Sequence, residues 1–91
     1  MTTTPERRTA TLSELVAEEI RAMLGRRRMS QAQLSREMGQ SQMWVSDRLR
    51  GIQPIGLDDL ERFARALDTE PYDLLPGRIG ALPGRDELKK K

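Results

Sequence analysis

S-Q-A-Q-L-S-R-E-M-G-Q-S-Q-M-W-V-S-D-R-L-R-G, from Ser30 to Gly51, reads as two short helices joined by a tight turn. Ser30 is a good N-cap, and Gln33 three residues on can complete a capping box. Leu34 and Met38 lie four apart and so share one helix face. Gly39 stands where a helix ends in a left-handed residue, a conformation glycine adopts without steric cost. Ser41 can cap a second helix that carries Val45 and Leu49 inward and stops at Gly51. The other side of that helix presents Gln42, Met43, Ser46, Asp47 and Arg50.

Upstream, T-L-S-E from Thr11 fits a capping box in which Glu14 reaches back to the cap amide. Leu12, Leu15, Val16, Ile20, Met23 and Leu24 follow at helical spacing, so a helix is expected to end near Gly25 or Arg26. Glu18, Glu19 and Arg21 fall off this stripe and are expected in solvent. Arg26-Arg27-Arg28 then links the two helices, and Met29 packs just ahead of the Ser30 cap. Downstream, Gly51 to Gly56 is a loop marked by Gly and Pro. Leu57, Leu60, Phe63, Ala64 and Leu67 predict the buried face of a fourth helix, with Asp58 and Asp59 suiting its positive end. Thr69-Glu70-Pro71 predicts a short fifth helix, after which Tyr72, Leu74 and Leu75 close the core. The expected fold is all-α, with four to five helices over residues 11–76. A polar, Thr-rich arm (1–10) precedes them, and a basic tail (77–91) with Ile79, Ala81 and Leu82 follows. Arg7 and Arg8 are the arm's basic residues.

Ninety-one residues make one domain with a small core, and only three aromatics are present to fill it. There is no Cys and no His, which removes disulfides, thiolate metal sites and the commonest general base. Asp58 and Asp59 have no His or second acidic motif beside them, so they read as helix-start chemistry and not as catalytic carboxylates. The reading is a non-enzyme with no metal and no cofactor. No apolar run reaches a membrane span and no signal peptide opens the chain, so a cytoplasmic protein is expected.

Charge is segregated along the chain. Between Arg26 and Arg50, six arginines face only Glu37 and Asp47, a balance of +4; between Leu57 and Leu75, Arg62 and Arg65 face six acids, a balance of −4. The basic part coincides with the two-helix unit. Two helices joined by a short turn containing Gly form a helix-turn-helix, whose second helix enters the DNA major groove, and phosphate neutralisation supplies most non-specific affinity.

The stretch resembles the helix-turn-helix of the phage repressor/Cro family, also called the xenobiotic-response-element family of transcriptional regulators. The matching residues are Ser30-Gln31, Leu34, Gly39, Ser41-Gln42, Val45-Ser46, Arg50 and Gly51, with Leu57, Leu60, Ala64 and Leu67 matching the family's fourth helix. The likeness runs from about Leu12 to Leu75. Two positions depart from it: Arg48 stands where an aliphatic core residue is common, and Ser35 where alanine is usual.

The resemblance implies a repressor-type fold that reads double-stranded operator DNA with helix 42–50 in the major groove. It implies a repressor such as a phage or prophage immunity repressor or a Cro-like protein, in the bacterial cytoplasm, with a homodimer as a possible assembly and no small-molecule ligand. Gln42 can grip adenine through N6 and N7, Met43 can meet a thymine methyl, and Ser46 is permissive. Ser41 caps the helix at a phosphate-favouring end. Gln31 can bond a phosphate and buttress Gln42; Arg28, Arg36 and Gln53 are backbone-contact candidates. Asp47 can accept from cytosine N4, though an ion pair with Arg50 is the plainer expectation. Trp44 is expected against a neighbouring helix with Arg48 across its ring; insertion into the groove is the other reading. A second function on the same fold is an antitoxin or accessory subunit of a toxin–antitoxin pair, which would use it for protein interaction.

Overall fold

The computed structural model describes residues 10–76. Expectations for the rest of the arm and for the tail, including Arg7, Arg8, Ile79, Ala81 and Leu82, lie outside those residues. Four helices follow in order: α1 (Leu12–Arg27), α2 (Gln31–Met38), α3 (Gln42–Leu49) and α4 (Leu57–Ala66), then a single 3-10 turn (Pro71–Leu74). No strand occurs among the described residues, so the fold is all-α as expected. The expected fifth helix is only this one turn.

Each start is written locally. Thr11 Oγ1 accepts from Glu14 N while Thr11 N donates to Glu14 Oε1, both at 3.0 Å, a reciprocal capping box. Ser30 Oγ accepts from Gln33 N at 3.0 Å, but the return bond from the Gln33 side chain is not made. At α4, where Gly56 has no side chain to cap with, Asp59 Oδ2 accepts from Gly56 N at 3.1 Å.

All four helices end the same way. A left-handed residue donates back to the carbonyl three residues earlier, and the next amide donates to the carbonyl five earlier. The left-handed residues are Arg28 (φ 55°), Gly39 (69°), Gly51 (83°) and Asp68 (55°). Gly25 therefore does not end α1: the helix runs on to Arg27, with Arg28 N bonding Gly25 O at 3.2 Å and Met29 N bonding Leu24 O at 3.0 Å. Continuing the helix keeps Leu24 in the core and brings Met29 back against it.

The core joins all five elements: Val16, Ala17, Ile20 and Leu24 of α1, Leu34, Val45, Leu49, Phe63, Ala64, Leu67 and Leu74. Ser35 is buried beside them, its hydroxyl satisfied by Ala32 O at 2.7 Å, so serine replaces alanine without an unpaired polar atom. Three expected core residues are outside. Leu12 is 48% exposed, Leu57 81% and Tyr72 59%. Leu12 and Leu57 occupy first helical positions, where no neighbouring helix reaches them, and Ala17 takes the buried place on α1 instead. The 3-10 turn, tighter than an α-helix, aims Leu74 inward and leaves Tyr72 out.

Candidate nucleic-acid interface

α2 and α3 pack on one another, α3 on α1, and α2 on α4. Gly39 makes the turn between α2 and α3, and Ser41 Oγ accepts from Trp44 N at 3.0 Å to start α3. Val45 and Leu49 have no exposed surface, while Met43 on the other side is 72% exposed. Gln42 and Arg50 are also exposed; Ser46 and Asp47 are half-buried. The amides of Gln42 and Met43, in the first turn, have no intrahelical partner.

Arg50 lines a shallow cleft with Glu14, Glu18 and Arg21 of α1. The expected Asp47–Arg50 ion pair is not made: the two ion pairs among the described residues both belong to Asp59. The helix ends between the two residues, and the Asp47 carbonyl instead collects Ile52 N at 2.8 Å and Gln53 N at 3.2 Å, holding the loop after α3. Gln31 is half-buried at the start of α2, and no hydrogen bond joins it to Gln42 among the described residues, so the expected buttress is not formed within the chain. Arg28, Arg36 and Gln53 are exposed.

Two arginines expected in solvent or at DNA hold helix ends instead. Arg21 Nη1 donates to Leu49 O and Arg27 Nη1 to Leu67 O, so α1 supplies charged caps to the carboxyl ends of α3 and α4. Arg27 thus leaves Arg26 and Arg28 as the outward members of its run. The α3–α4 contact is built on the departure at position 48. Arg48 Cζ lies 3.8 Å from the Trp44 ring centroid, its Nε donates to Asp59 Oδ2 at 3.3 Å, and Trp44 stacks obliquely on Phe63 with centroids 5.8 Å apart. Trp44 is therefore packing and not part of the outer face. Asp59 also accepts from Arg62 at 3.0 Å. The sequence marks Asp59 only as a helix-start acid; nothing in it pairs Arg21 with a carbonyl 28 residues away.

No group of three or more His, Cys, Asp or Glu that could hold a metal is found among the described residues, and no helix there is long and apolar enough to cross a membrane.

A family model for the Cro/C1-type HTH DNA-binding domain matches residues 19–76. Control protein C.BamHI of Bacillus amyloliquefaciens is 34% identical over 62 residues, 67% of this chain and 76% of that protein. The crystal structure of the hypothetical transcription factor NHTF from Neisseria superposes with a TM-score of 0.66 at 30% identity, covering 89% of this chain and 86% of that one. With the two capped helices, the left-handed glycine between them and the match across 58 residues from 19 to 76, the chain belongs to the Cro/C1-type helix-turn-helix family of DNA-binding transcription regulators.

Proposed function

We infer that this regulator is a repressor that reads operator DNA in the major groove with the outer face of α3, two copies occupying an inverted repeat. The observation that carries the reading is the division of α3: Val45 and Leu49 wholly buried, Gln42, Met43 and Arg50 in the open at the same helix. Gln42 suits bidentate contact with adenine and Met43 a thymine methyl, with Ser46 beside them. Asp47, in no ion pair, suits a cytosine N4 donor and opposes misplaced phosphate. The free first-turn amides beside Ser41, with Gln31, suit a backbone phosphate. Arg28, Arg36, Arg50 and Gln53 add contacts that set register without reading sequence. Likeness to a protein named as a control protein supports a regulatory role. The whole regulatory act is then occupancy of promoter DNA, a place for phage or prophage operators among others.

Selection of bound duplexes from a random library at near-physiological salt tests this. The expected product is an inverted repeat with half-sites about one helical turn apart, ~34–36 Å between centres. A single half-site removes the paired assembly. No enrichment removes operator reading and turns the fold over to the antitoxin or accessory-subunit role.

A further inference from the structure

Burial holds α3 to the domain but does little to fix its roll. Val45 and Leu49 have no exposed surface, yet apolar burial is non-directional. Direction comes from one flank of the helix. Trp44 and Arg48 lie four residues apart there, on the side away from Gln42 and Ser46. Arg48 Nε donates to Asp59 Oδ2 at 3.3 Å and its Nη1 to Trp44 O at 3.4 Å, so the guanidinium is held between its own helix and α4. Gly56 N donates to the same Asp59 oxygen at 3.1 Å, while Ile52 N and Gln53 N donate to Asp47 O. The loop that carries Gln53 is therefore fastened to α3 at its start and to Asp59 at its end.

We propose that Asp59 is a positioning residue for DNA reading: through Arg48 it sets the roll of α3, and through Gly56 N it sets the loop that carries Gln53, so one carboxylate on α4 governs how selectively the chain reads its operator. The step rests on α3 being the DNA-reading helix. A roll of ~15° moves a side-chain tip ~5–6 Å from the helix axis by ~1.5 Å, well beyond the ~0.5 Å within which a binding group must be held. A mostly buried ion pair is a poor source of net stability, and an aliphatic side chain at position 48 would be buried more cheaply. What the arginine adds is direction: a hydrogen bond to α4, and a ring contact with Trp44, which itself stacks on Phe63 of α4. Asp59 thus acts on bases it does not touch.

Titrations of the full chain on its selected operator and on a random duplex test the proposal. The readout is the ratio of the two affinities, because a changed net charge or a partly unfolded sample acts on both alike. Asp59→Asn keeps an oxygen for Gly56 N and loses the charge that faces Arg48; Arg48→Leu removes the other partner. Each is expected to lower the ratio about threefold to thirtyfold. The double variant is expected to fall within about twofold of the weaker single one, since the pair acts as a unit. Arg62→Ala, which removes the partner that Asp59 has on its own helix, is expected to leave the ratio unchanged. Trp44 is the only tryptophan, so its near-UV circular dichroism reports the clamp without DNA. That band is expected to weaken in Asp59→Asn while the far-UV spectrum holds. A ratio unmoved by both single variants overturns the proposal, as do losses that multiply in the double variant or a fall equal in Arg62→Ala. A ratio that falls while the Trp44 band is unchanged also overturns it, because the loss then bypasses the clamp. Gln42→Ala separates the two ideas. Selective loss there, beside an unmoved ratio in Asp59→Asn and Arg48→Leu, removes only the positioning role. Equal loss on both duplexes removes α3 as the reader and the positioning role with it.

Discussion

Arg48 lies flat over Trp44, its guanidinium carbon 3.8 Å from the ring centroid, and the two are fastened to α4 by a single carboxylate, Asp59. The side chains of Arg48 and Asp59 are only 19% and 16% exposed, so this pair is shielded far better than a surface ion pair. Asp59 serves three donors at once: Arg48 Nε, Arg62 Nη1 and Gly56 N. It therefore joins α3 to the end of the loop that follows it.

Truncations at the two ends of this link are expected to differ. Asp59→Ala removes the helix start and leaves Arg48 half-buried without its carboxylate, for a loss of about 2–4 kcal/mol. Arg48→Ala leaves Asp59 with two partners and is expected to cost about 1–2 kcal/mol, from lost ring contact and packing. Urea denaturation of both variants checks the order. Equal losses show that the cap at Gly56 contributes nothing.

The four left-handed helix ends split into two glycines and two side-chain-bearing residues, and that split predicts opposite signs. Asp68→Gly relieves the left-handed strain and is expected to stabilise by up to about 1 kcal/mol, or ~4–8 °C in a domain of this size. Gly39→Ala imposes the same strain and is expected to cost about 1–2 kcal/mol. Nothing crowds a Cβ at Gly39, so the backbone conformation alone is tested there. Thermal melts with both substitutions measured side by side decide it.

Arg21 reaches from α1 to the Leu49 carbonyl at the last residue of α3. Arg21→Ala is expected to cost about 1 kcal/mol and to leave the carboxyl end of α3 uncapped. Amide hydrogen exchange should then quicken at Arg50 to Gln53 while the amides of α2 keep their protection. Uniform quickening across the domain contradicts a local cap.

The base-reading role proposed for Gln42 and the phosphate-holding role proposed for Arg36 are separable by salt. Gln42→Ala is expected to weaken binding to the selected operator by about 1–3 kcal/mol and to leave random duplex binding nearly unchanged. Arg36→Ala is expected to weaken both alike and to reduce the salt slope by about 1. Titrations at several salt concentrations on both duplexes separate the two outcomes, and equal loss for Gln42→Ala on both would remove α3 as the reader.

The helix starts and turns read correctly from the amino-acid order are ones the chain closes within a few residues. Thr11 with Glu14, Ser30 with Gln33 N, Ser41 with Trp44 N and the turns at Gly39 and Gly51 each close locally. Such bonds form whatever the rest of the molecule does, so residue type at fixed spacing specifies them. The features decided only by tertiary structure join distant points: Arg21 to Leu49, 28 residues apart; Arg27 to Leu67, 40 apart; Ser13 to Ile55, 42 apart. Periodicity counts Leu12, Leu57 and Tyr72 as core equally with Ile20, Phe63 and Leu74. Only the lengths and meeting points of the helices leave the first three uncovered, because burial is a property of what another element reaches and not of the side chain itself.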